Sequence, residues 1–213
     1  MKSNRMHLVI TAGGTREYID PVRFISNASS GKMGIALANA AKKAGHKVTL
    51  ITTIPCHFER SREISFCNVE TADQMFYAVK KYFNKCDCLI MAAAVSDYKP
   101  QKISKTKIKR TDKNLIIKLK PTIDILKWAR KNKKRGQIIV GFALEDKNLR
   151  KNAERKLKDK NLDMIIANTP SAIGAKESTV YIKQKNQPWL SLQKADKSFI
   201  AKKIISLLCR GLL

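Results

Sequence analysis

The sequence predicts an α/β protein: a three-layer, doubly wound (Rossmann-like) and mostly parallel sheet, in a single domain that spans residues 1–213. Two observations predict this fold. Short apolar runs alternate with segments of helical period along the chain, which is typical of a sheet with helices on both faces. In addition, neither an internal repeat nor a domain linker interrupts the alternation.

The first half of the chain predicts strands and helices in regular succession. The strands are HLVITAGG (7–14), HKVTLITT (46–53), ISFCNVE (64–70) and CDCLIMAAAVSDY (86–98). Helical spacing runs from Met33 to Ala44 and ends at Gly45, where a C-terminal cap belongs. Thr71 and Gln74 occupy capping-box positions at the start of the next helix. The run at 86–98 is the most apolar of the chain, which predicts a central strand.

The second half continues the pattern after a break. Strands are predicted for KNLIIKLK (113–120), QIIVGFALE (137–145), LDMIIANT (162–169) and STVYIK (178–183), and helices for residues 122–134, 147–161 and 195–210. The terminal helix is expected to bury Phe199, Ile200, Ile204, Leu207 and Leu208. The lysine-rich piece between Asp97 and Leu115 has neither period. A connection this long, at the carboxyl end of a central strand, is typical of a functional or mobile loop.

The charge of the chain is far from balanced. Lysine and arginine number 43 against 17 acidic residues, and the net charge of +26 attracts polyanions. Residues 99–135 are especially basic, which keeps open a nucleic-acid-binding alternative, although only Tyr98 and Trp128 could stack on bases there. A lysine-rich proteome would produce the same excess without a functional meaning.

Composition also excludes several classes. No apolar run approaches the roughly 18 residues of a membrane helix, and no signal peptide is recognisable. These absences predict a cytoplasmic location without membrane contact. The five cysteines form no C-x-x-C pair and the three histidines have no partner at ligand spacing. Therefore no structural metal site is expected.

The stretch RFISNASSGKMG (23–34) is the first candidate site. Ser29 or Ser30 is a suitable N-cap, and the free N–H groups of the first helical turn would attract an anion. Gly31 and Gly34 would let a phosphate approach the backbone. A plain helix cap explains the same residues, so both interpretations stay open. A dinucleotide site is not supported, because no G-x-G-x-x-G occurs, and no P-loop motif is present.

Two lysines of the predicted helix at 147–161 form a second candidate. Lys156 and Lys160 are four residues apart, so they lie on one helical face and could hold a polyphosphate together. A solvated basic face is the simpler alternative. The segments AAAVSDY (92–98) and GFALED (141–146) lie at the ends of predicted strands, so they share an edge of the sheet with the first candidate site.

Several blocks occur in one order along most of the chain. They are ITAGGTREYIDPVRFISNASSGKMGIALA, MAAAVSDYKP, KIKR, PTIDIL, VGFALE and KLKDKNLDMIIAN. From about Leu8 to Val180 this order resembles the phosphopantothenate–cysteine ligase family. The resemblance implies ligation of 4′-phosphopantothenate to L-cysteine, giving 4′-phosphopantothenoylcysteine, with a nucleoside triphosphate and Mg2+. In that family the carboxylate attacks the α-phosphate, and the acyl-nucleotidylate (acyl-cytidylate) then reacts with the cysteine amine, so that CMP and pyrophosphate are released.

The resemblance also implies roles for individual residues. Asn27 would contact the activated acyl group and Lys107 the α-phosphate, as the two catalytic residues. Nucleotide binding falls to Gly13, Ser29, Gly31, Gly34, Phe142, Lys156, Lys160 and Asn168. Contacts to the phosphopantothenate fall to Arg23, Ala93, Ala94 and Asp97. Arg23 would reach the active site of the other subunit, because the family forms homodimers with shared sites.

Two departures from the family pattern affect the expectations. Many bacterial members carry an N-terminal flavin-dependent decarboxylase domain, and this sequence shows none. We therefore expect no FMN and a separate phosphopantothenoylcysteine decarboxylase. Leu144 stands where an alanine is usual near the nucleotide site, so CTP is expected by analogy with bacteria while ATP stays an alternative.

Overall fold

The computed structural model describes residues 5–55 and 64–211. The strands are β1 (His7–Ala12), β2 (Arg16–Tyr18), β3 (Phe24–Ser26), β4 (Lys47–Thr52), β5 (Ile64–Asn68), β6 (Cys88–Met91), β7 (Tyr98–Pro100), β8 (Leu119–Pro121), β9 (Ile138–Leu144), β10 (Met164–Asn168), β11 (Glu177–Gln184) and β12 (Trp189–Asp196). The helices are α1 (Lys32–Lys43), α2 (Ala72–Phe83), α3 (Ile125–Asn132), α4 (Leu149–Asp159) and α5 (Lys197–Gly211), with a 3-10 turn at Pro170–Ala172.

Eight strands form the main sheet, in the order β12-β11-β10-β9-β6-β1-β4-β5. The six strands from β10 to β5 are parallel, and β11 and β12 continue the sheet in antiparallel pairing. β6 lies between β1 and β9, so the prediction of a central strand within 86–98 is confirmed. Its ladder is short, because the chain leaves the sheet after Met91 to form a loop.

Helices cover both faces of the sheet, as the doubly wound prediction requires. Successive side chains of a strand point to opposite faces, so Leu8 of β1 packs with α1 and α5 while Val9 packs with α2, α3 and α4. Leu37 and Ile204 fill the first layer, and Met75 is buried in the second. The three-layer architecture is therefore confirmed.

Local signals for helix ends also hold. The Thr71 hydroxyl accepts from the Gln74 N–H at 3.2 Å, and the Gln74 side chain accepts from the Thr71 N–H, so the predicted capping box is present. Gly45 follows α1 with φ of 84° and donates to the Lys42 carbonyl, as expected of a C-terminal cap.

Two element predictions and part of the burial prediction for the terminal helix were wrong. Residues 113–118 form no strand, and only β8 pairs there, with β7, in a two-stranded ribbon outside the main sheet. Ile116 is 83% exposed, so this apolar segment finds no core to pack on. The edge strand β12 was not predicted, because its sequence WLSLQKAD is half polar and forms no continuous apolar run. Its pairing with β11 is also irregular, with a register shift between Ser178 and Val180. Phe199 is 54% exposed rather than buried and Leu207 is half-buried, whereas Ile200, Ile204 and Leu208 are buried as predicted.

The carboxyl ends of β1, β6, β9 and β10 meet at one edge of the sheet. The loops that follow these strands carry most of the predicted site residues. In the described part of the chain, no helix combines the length and the apolar character needed to cross a membrane.

Candidate active site

A cavity of about 520 Å³ opens at this edge of the sheet. It is lined by residues 27–34, 92–95, 97, 142–144, 156, 168, 172–174, 178 and 197. Ten of the fourteen predicted site residues lie on its wall: Asn27, Ser29, Gly31, Gly34, Ala93, Ala94, Asp97, Phe142, Lys156 and Asn168. The four that do not are Gly13, Arg23, Lys107 and Lys160.

The start of α1 forms the glycine-rich side of the cavity. Gly31 is the N-cap, with φ of 66°, and no side chain caps the helix. The prediction of a serine N-cap was therefore wrong. The Ser29 hydroxyl only accepts from the Gly31 N–H, at 3.4 Å. A Cβ on Gly31 would overlap the Ile54 side chain and would lie 3.2 Å from the Gly13 nitrogen. Gly13 therefore lies behind the wall, where it lets Gly31 approach β1.

The loops after β1 and β6 are joined to each other through the backbone. The Ala94 N–H donates to the Gly13 carbonyl at 2.8 Å, and the Thr15 N–H donates to the Ala94 carbonyl at 3.2 Å. The Asn27 side chain donates to the Val95 carbonyl at 3.1 Å, which holds this amide beside the β6 loop. Asn27 and Ala94, 67 positions apart in the sequence, therefore share one wall.

The β6 loop presents backbone and one carboxylate to the cavity. The Ala93 N–H donates to the Thr11 hydroxyl at 3.1 Å, so this turn is fixed to β1. Asp97 is exposed, and no hydrogen bond to its carboxylate occurs within residues 5–55 and 64–211. It is the one acidic residue among the described residues of the wall. An uncharged donor of a ligand therefore has a free acceptor at Asp97.

Lys156 reaches the cavity from α4. Its ammonium donates to the Phe142 carbonyl at 2.8 Å, and the side chain is half-buried against β9. Burial lowers the pKa of Lys156, and the carboxylates of Glu145 and Asp97 only partly offset this. A partly desolvated ammonium interacts strongly with an anion, because the local dielectric is low. Phe142 and Asn168 lie beside it, at the ends of β9 and β10.

Lys160 does not join Lys156. Its ammonium pairs instead with Asp124, the residue that caps α3 by accepting from the Lys127 N–H at 2.8 Å. Burial raises the pKa of Asp124, but the hydrogen bond from Lys160 and the Lys127 N–H outweigh it, so the pKa lies below its usual value. The two lysines that the helical spacing placed on one face thus have different partners, and of the two Lys156 alone lines the cavity.

Arg23 lies in the β2–β3 hairpin, away from the cavity of its own chain. Its guanidinium donates to the Asp20 carboxylate at 2.6 and 2.9 Å and to the Ile108 carbonyl at 2.6 Å. Asp20 is fully buried and also accepts from the N–H groups of Val22, Arg23 and Ile108. Burial alone would raise the pKa of Asp20, but these donors hold it well below its usual range.

Lys107 lies in the segment 101–118 that connects β7 and β8. It is exposed and does not line the cavity, and the neighbouring Ile108 is bound to Asp20. The Ser104 N–H also donates to the Ile19 carbonyl at 2.9 Å. The lysine-rich segment is therefore attached to the β2–β3 hairpin on both sides of Lys107.

Comparison with known proteins agrees with this geometry. Residues 3–212 match the family described as DNA/pantothenate metabolism flavoprotein C-terminal domain. The chain belongs to this family. A crystal structure of the C-terminal domain of a coenzyme A biosynthesis bifunctional protein CoaBC is similar to this chain and 33% identical to it in sequence. It covers 96% of this chain and 94% of its own, with a TM-score of 0.81.

Curated relatives of the family are larger proteins. The coenzyme A biosynthesis bifunctional protein CoaBC of Borreliella burgdorferi is 43% identical over 203 residues, which are 94% of this chain and 52% of the relative. That of Bacillus subtilis is 45% identical over 170 residues, 79% of this chain and 41% of the relative. The chain thus spans about half the length of the curated relatives it matches, and the expected domain boundaries stay a prediction.

Sequence reasoning missed three residues of this family domain. Asp20 accepts hydrogen bonds from Arg23 and from the lysine-rich segment. The sequence feature that could have indicated this role is the turn DPVR (20–23), in which an aspartate accepts from the N–H groups of the residues that follow it. Lys32 and Lys197 both line the cavity. They are 165 positions apart, so no local pattern connects them.

In the described ranges, no group of three histidine, cysteine or acidic side chains is placed to hold a metal.

Proposed function

We propose that this chain ligates 4′-phosphopantothenate to L-cysteine. The supporting observation is that ten residues assigned by the family resemblance, from six separate elements and loops, meet on one cavity wall. The names of the relatives, which place them in coenzyme A biosynthesis, agree with this activity. The reaction requires the protein to orient two reactants and to offset the negative charge of the phosphates. A cavity that presents Lys156 and free backbone N–H groups can do both.

The arrangement suggests how the chain would handle the reaction. The helix start at residues 29–34 would hold the nucleotide phosphates, and Phe142 and Asn168 would lie beside the base. Asp97 would accept from the hydroxyl or amide of the pantothenate group, next to the backbone of Ala93 and Ala94. Asn27, fixed by Val95, would donate to the acyl group as the carboxylate attacks the α-phosphorus and, later, as the cysteine amine displaces the nucleotide.

Magnesium would enter with the nucleotide. Mg2+ prefers oxygen ligands and is commonly held by one or two carboxylates together with substrate phosphates. Asp97 is the single carboxylate on the described cavity wall, which fits an ion carried by the phosphates and does not fit a protein cage. The ion would offset phosphate charge. CTP as the nucleotide, the absence of FMN and the cytoplasmic location stay predictions.

A homodimer would complete the site. Arg23 and Lys107 do not line the cavity of their own chain, yet both lie on ribbons that expose apolar side chains. Ile116, Ile103 and Val22 are the most exposed of these. Covering such side chains with a second copy would remove them from water. It would also bring Arg23 to the neighbouring cavity, as the family resemblance implies.

The decisive experiment is a ligase assay with parallel nucleotides. The purified protein is incubated with 4′-phosphopantothenate, cysteine, Mg2+ and one of CTP, ATP, GTP or UTP. We expect 4′-phosphopantothenoylcysteine, pyrophosphate and CMP with CTP. Product with ATP alone would reassign the nucleotide. No product with any of the four would refute the ligase function.

The role of Asn27 can be tested separately from binding. Asn27→Asp replaces the amide donor by a carboxylate and should slow acyl transfer while CTP affinity is retained. Rates of pyrophosphate release and of final product are measured in parallel. If the variant forms the final product at the normal rate, Asn27 is not at the reaction centre.

Polyanion binding is a second candidate, and one observation favours it. A separate cavity lies at the amino ends of β9 and β10. Its lining includes one acidic residue, Asp163, and five basic residues: Arg130, Lys133, Lys134, Arg135 and Lys185. Nucleic-acid binding there would fall steeply with salt. Retention of a duplex at about 150 mM salt by the wild type, and its loss in Arg135→Glu, would support this candidate. Equal release of both proteins would reject it.

A further inference from the structure

Three lysines meet on the wall of the candidate active site, from two different layers of the fold. Lys156 comes from α4, on one face of the sheet, whereas Lys32 and Lys197 begin α1 and α5 on the other face. Asp97 is the one acidic residue on this wall, so the described lining carries a net charge of +2, three lysines against one aspartate. The family resemblance assigned Lys156 and left the other two lysines without a role.

Lys197 is held in place without a carboxylate. Its ammonium donates to the Ala175 carbonyl, in the loop that also supplies residues 172–174 to the cavity wall. The side chain is half-buried. Burial and the nearby positive charge of Lys32 both lower the pKa of Lys197. Within the described residues, neither lysine forms an ion pair. Two like charges thus face one cavity without neutralisation.

Helix stability does not explain these two positions. A positive side chain in the first turn of a helix opposes the helix dipole, which favours acidic residues there. Neither α1 nor α5 has an acidic residue in its first turn. Lys32 and Lys197 therefore oppose the dipoles of their helices, although Asp196, directly before α5, caps that helix by accepting from the Phe199 N–H at 2.8 Å. A bound anion would remove both the mutual repulsion and the unfavourable placement.

We propose that Lys32 and Lys197 form a subsite for the two terminal phosphates of the nucleotide, on the side of the cavity opposite Lys156. This inference rests on the proposed ligase function. When the carboxylate oxygen attacks the α-phosphorus, the bond from that phosphorus to the bridging oxygen breaks. Pyrophosphate then leaves with the electron pair. Two ammonium groups at the terminal phosphates offset the charge of this leaving group.

A phosphate at this subsite could come from two sources. The first is the terminal part of the nucleoside triphosphate, and the second is the 4′-phosphate of phosphopantothenate. The two lysines adjoin the helix start at residues 29–34, which favours the nucleotide. Binding measurements with CTP, CMP, pyrophosphate, phosphopantothenate and pantothenate separate the two sources.

The experiment uses calorimetric binding in Mg2+ buffer with Lys32→Met, Lys197→Met and Lys197→Arg. Lys202→Met, on the same helix and outside the cavity wall, is the matched control. We expect each Met variant at 32 or 197 to bind pyrophosphate and CTP about tenfold more weakly, as for a lost charged hydrogen bond. The affinity for CMP, which lacks the two terminal phosphates, should change by less than about twofold. Lys202→Met should bind like the wild type, whereas Lys197→Arg keeps the charge and should recover part of the affinity that Lys197→Met loses.

Three outcomes would overturn the proposal. Equal weakening of CMP and CTP would show that the lysines act through the loop at 172–175. Weakening of phosphopantothenate without pyrophosphate would assign the subsite to the other source. A wild type that does not bind pyrophosphate would have no such subsite.

Thermal unfolding of each variant checks that the variant is folded. Because Lys32 is exposed, its replacement should leave the fold intact. A wild type without ligase turnover, but with the expected binding pattern, would reject the proposed function alone.

Discussion

Two regions of the molecule carry predicted site residues, and they are built differently. The edge of the main sheet holds Gly31, Gly34 and Lys156 in a wall fixed by backbone hydrogen bonds and packing. Two ribbons lie outside the main sheet: the hairpin β2–β3 carries Arg23, and β7–β8, with the segment 101–118 that connects its two strands, carries Lys107. Both ribbons expose apolar side chains. The wall is formed by residues of one chain. The ribbons are the surface that, under the proposed function, a second copy would cover.

Overpacking the wall should have the largest effect. A Cβ on Gly34 would lie 2.5 Å from the Ala12 Cβ and 2.8 Å from the Thr11 carbonyl oxygen, both in the buried strand β1. Gly34→Val should therefore push α1 off the sheet and cost about 3 kcal/mol or more. Urea unfolding followed by circular dichroism measures this. Gly45→Ala, with open space but φ of 84°, is the control and should cost about 1–2 kcal/mol. Equal losses would contradict the close-packing argument.

The two lysines of α4 should differ sharply. Lys156→Met removes a half-buried charge from the cavity wall and should lower kcat/KM by about 50-fold, or roughly 2–3 kcal/mol. Lys160→Met breaks an ion pair with Asp124 outside the wall and should lower kcat/KM by about threefold or less. Steady-state kinetics with CTP as the varied substrate decides between them. Similar losses in both variants would return Lys160 to the phosphate site.

Mixing experiments test whether the ribbons act across subunits. Arg23→Ala and Lys156→Met should each be nearly inactive, because one lacks a contribution from the ribbon and the other a contribution from the wall. When the two are unfolded together and refolded, random pairing should restore up to about a quarter of wild-type activity, since half of the dimers contain one intact site. Each variant refolded alone is the control. No recovery in the mixture would place Arg23 and Lys156 in the same chain's site, or in no shared site.

The wall was largely predictable and the ribbons were not, for physical reasons. Alternating apolar and helical segments determine which strands are buried, so β1, β6 and β9 were found from local pattern. The capping preference of Ser29 was overridden, because Ile54 leaves no room beside Gly31 and the backbone there adopts a positive φ. Whether an apolar segment such as 113–118 pairs depends on distant partners. Single residues such as Asn27 and Asp97 were singled out by the family resemblance, because no periodicity marks them.

The pH dependence of nucleotide binding should reveal Lys156, the half-buried lysine that α4 contributes to the wall. Because burial lowers the pKa of Lys156 below its usual 10.5, this ammonium loses its proton at lower pH than an exposed lysine. Affinity for CTP should therefore fall by several-fold as the pH rises through that lowered pKa. Lys156→Arg stays charged and should show a flatter alkaline limb. Calorimetric titrations at several pH values measure this. Parallel limbs in the two proteins would exclude Lys156 as the titrating group.

The smallest effect is expected from the anchor of the ribbons. Asp20→Asn keeps the shape but weakens the contact to Arg23 and to the Ile108 N–H, and turnover should fall by a few-fold while the core is unchanged. Asp20 has a lowered pKa in the folded protein, so its stabilising contribution is present above its unfolded pKa of about 3.9. That contribution is lost as the pH falls below this value.

The difference in Tm between wild type and Asp20→Asn should therefore be present at neutral pH and shrink below a pH of about 4. Asp112→Asn, in the exposed segment between β7 and β8, is the control and should match the wild type at each pH. A Tm difference that is independent of pH would mean that Asp20 acts by shape and hydrogen bonding alone. A difference that disappears in acid would show that ionised Asp20 holds Arg23 and the lysine-rich segment together. The ribbons would then respond to acid in a way that the wall does not.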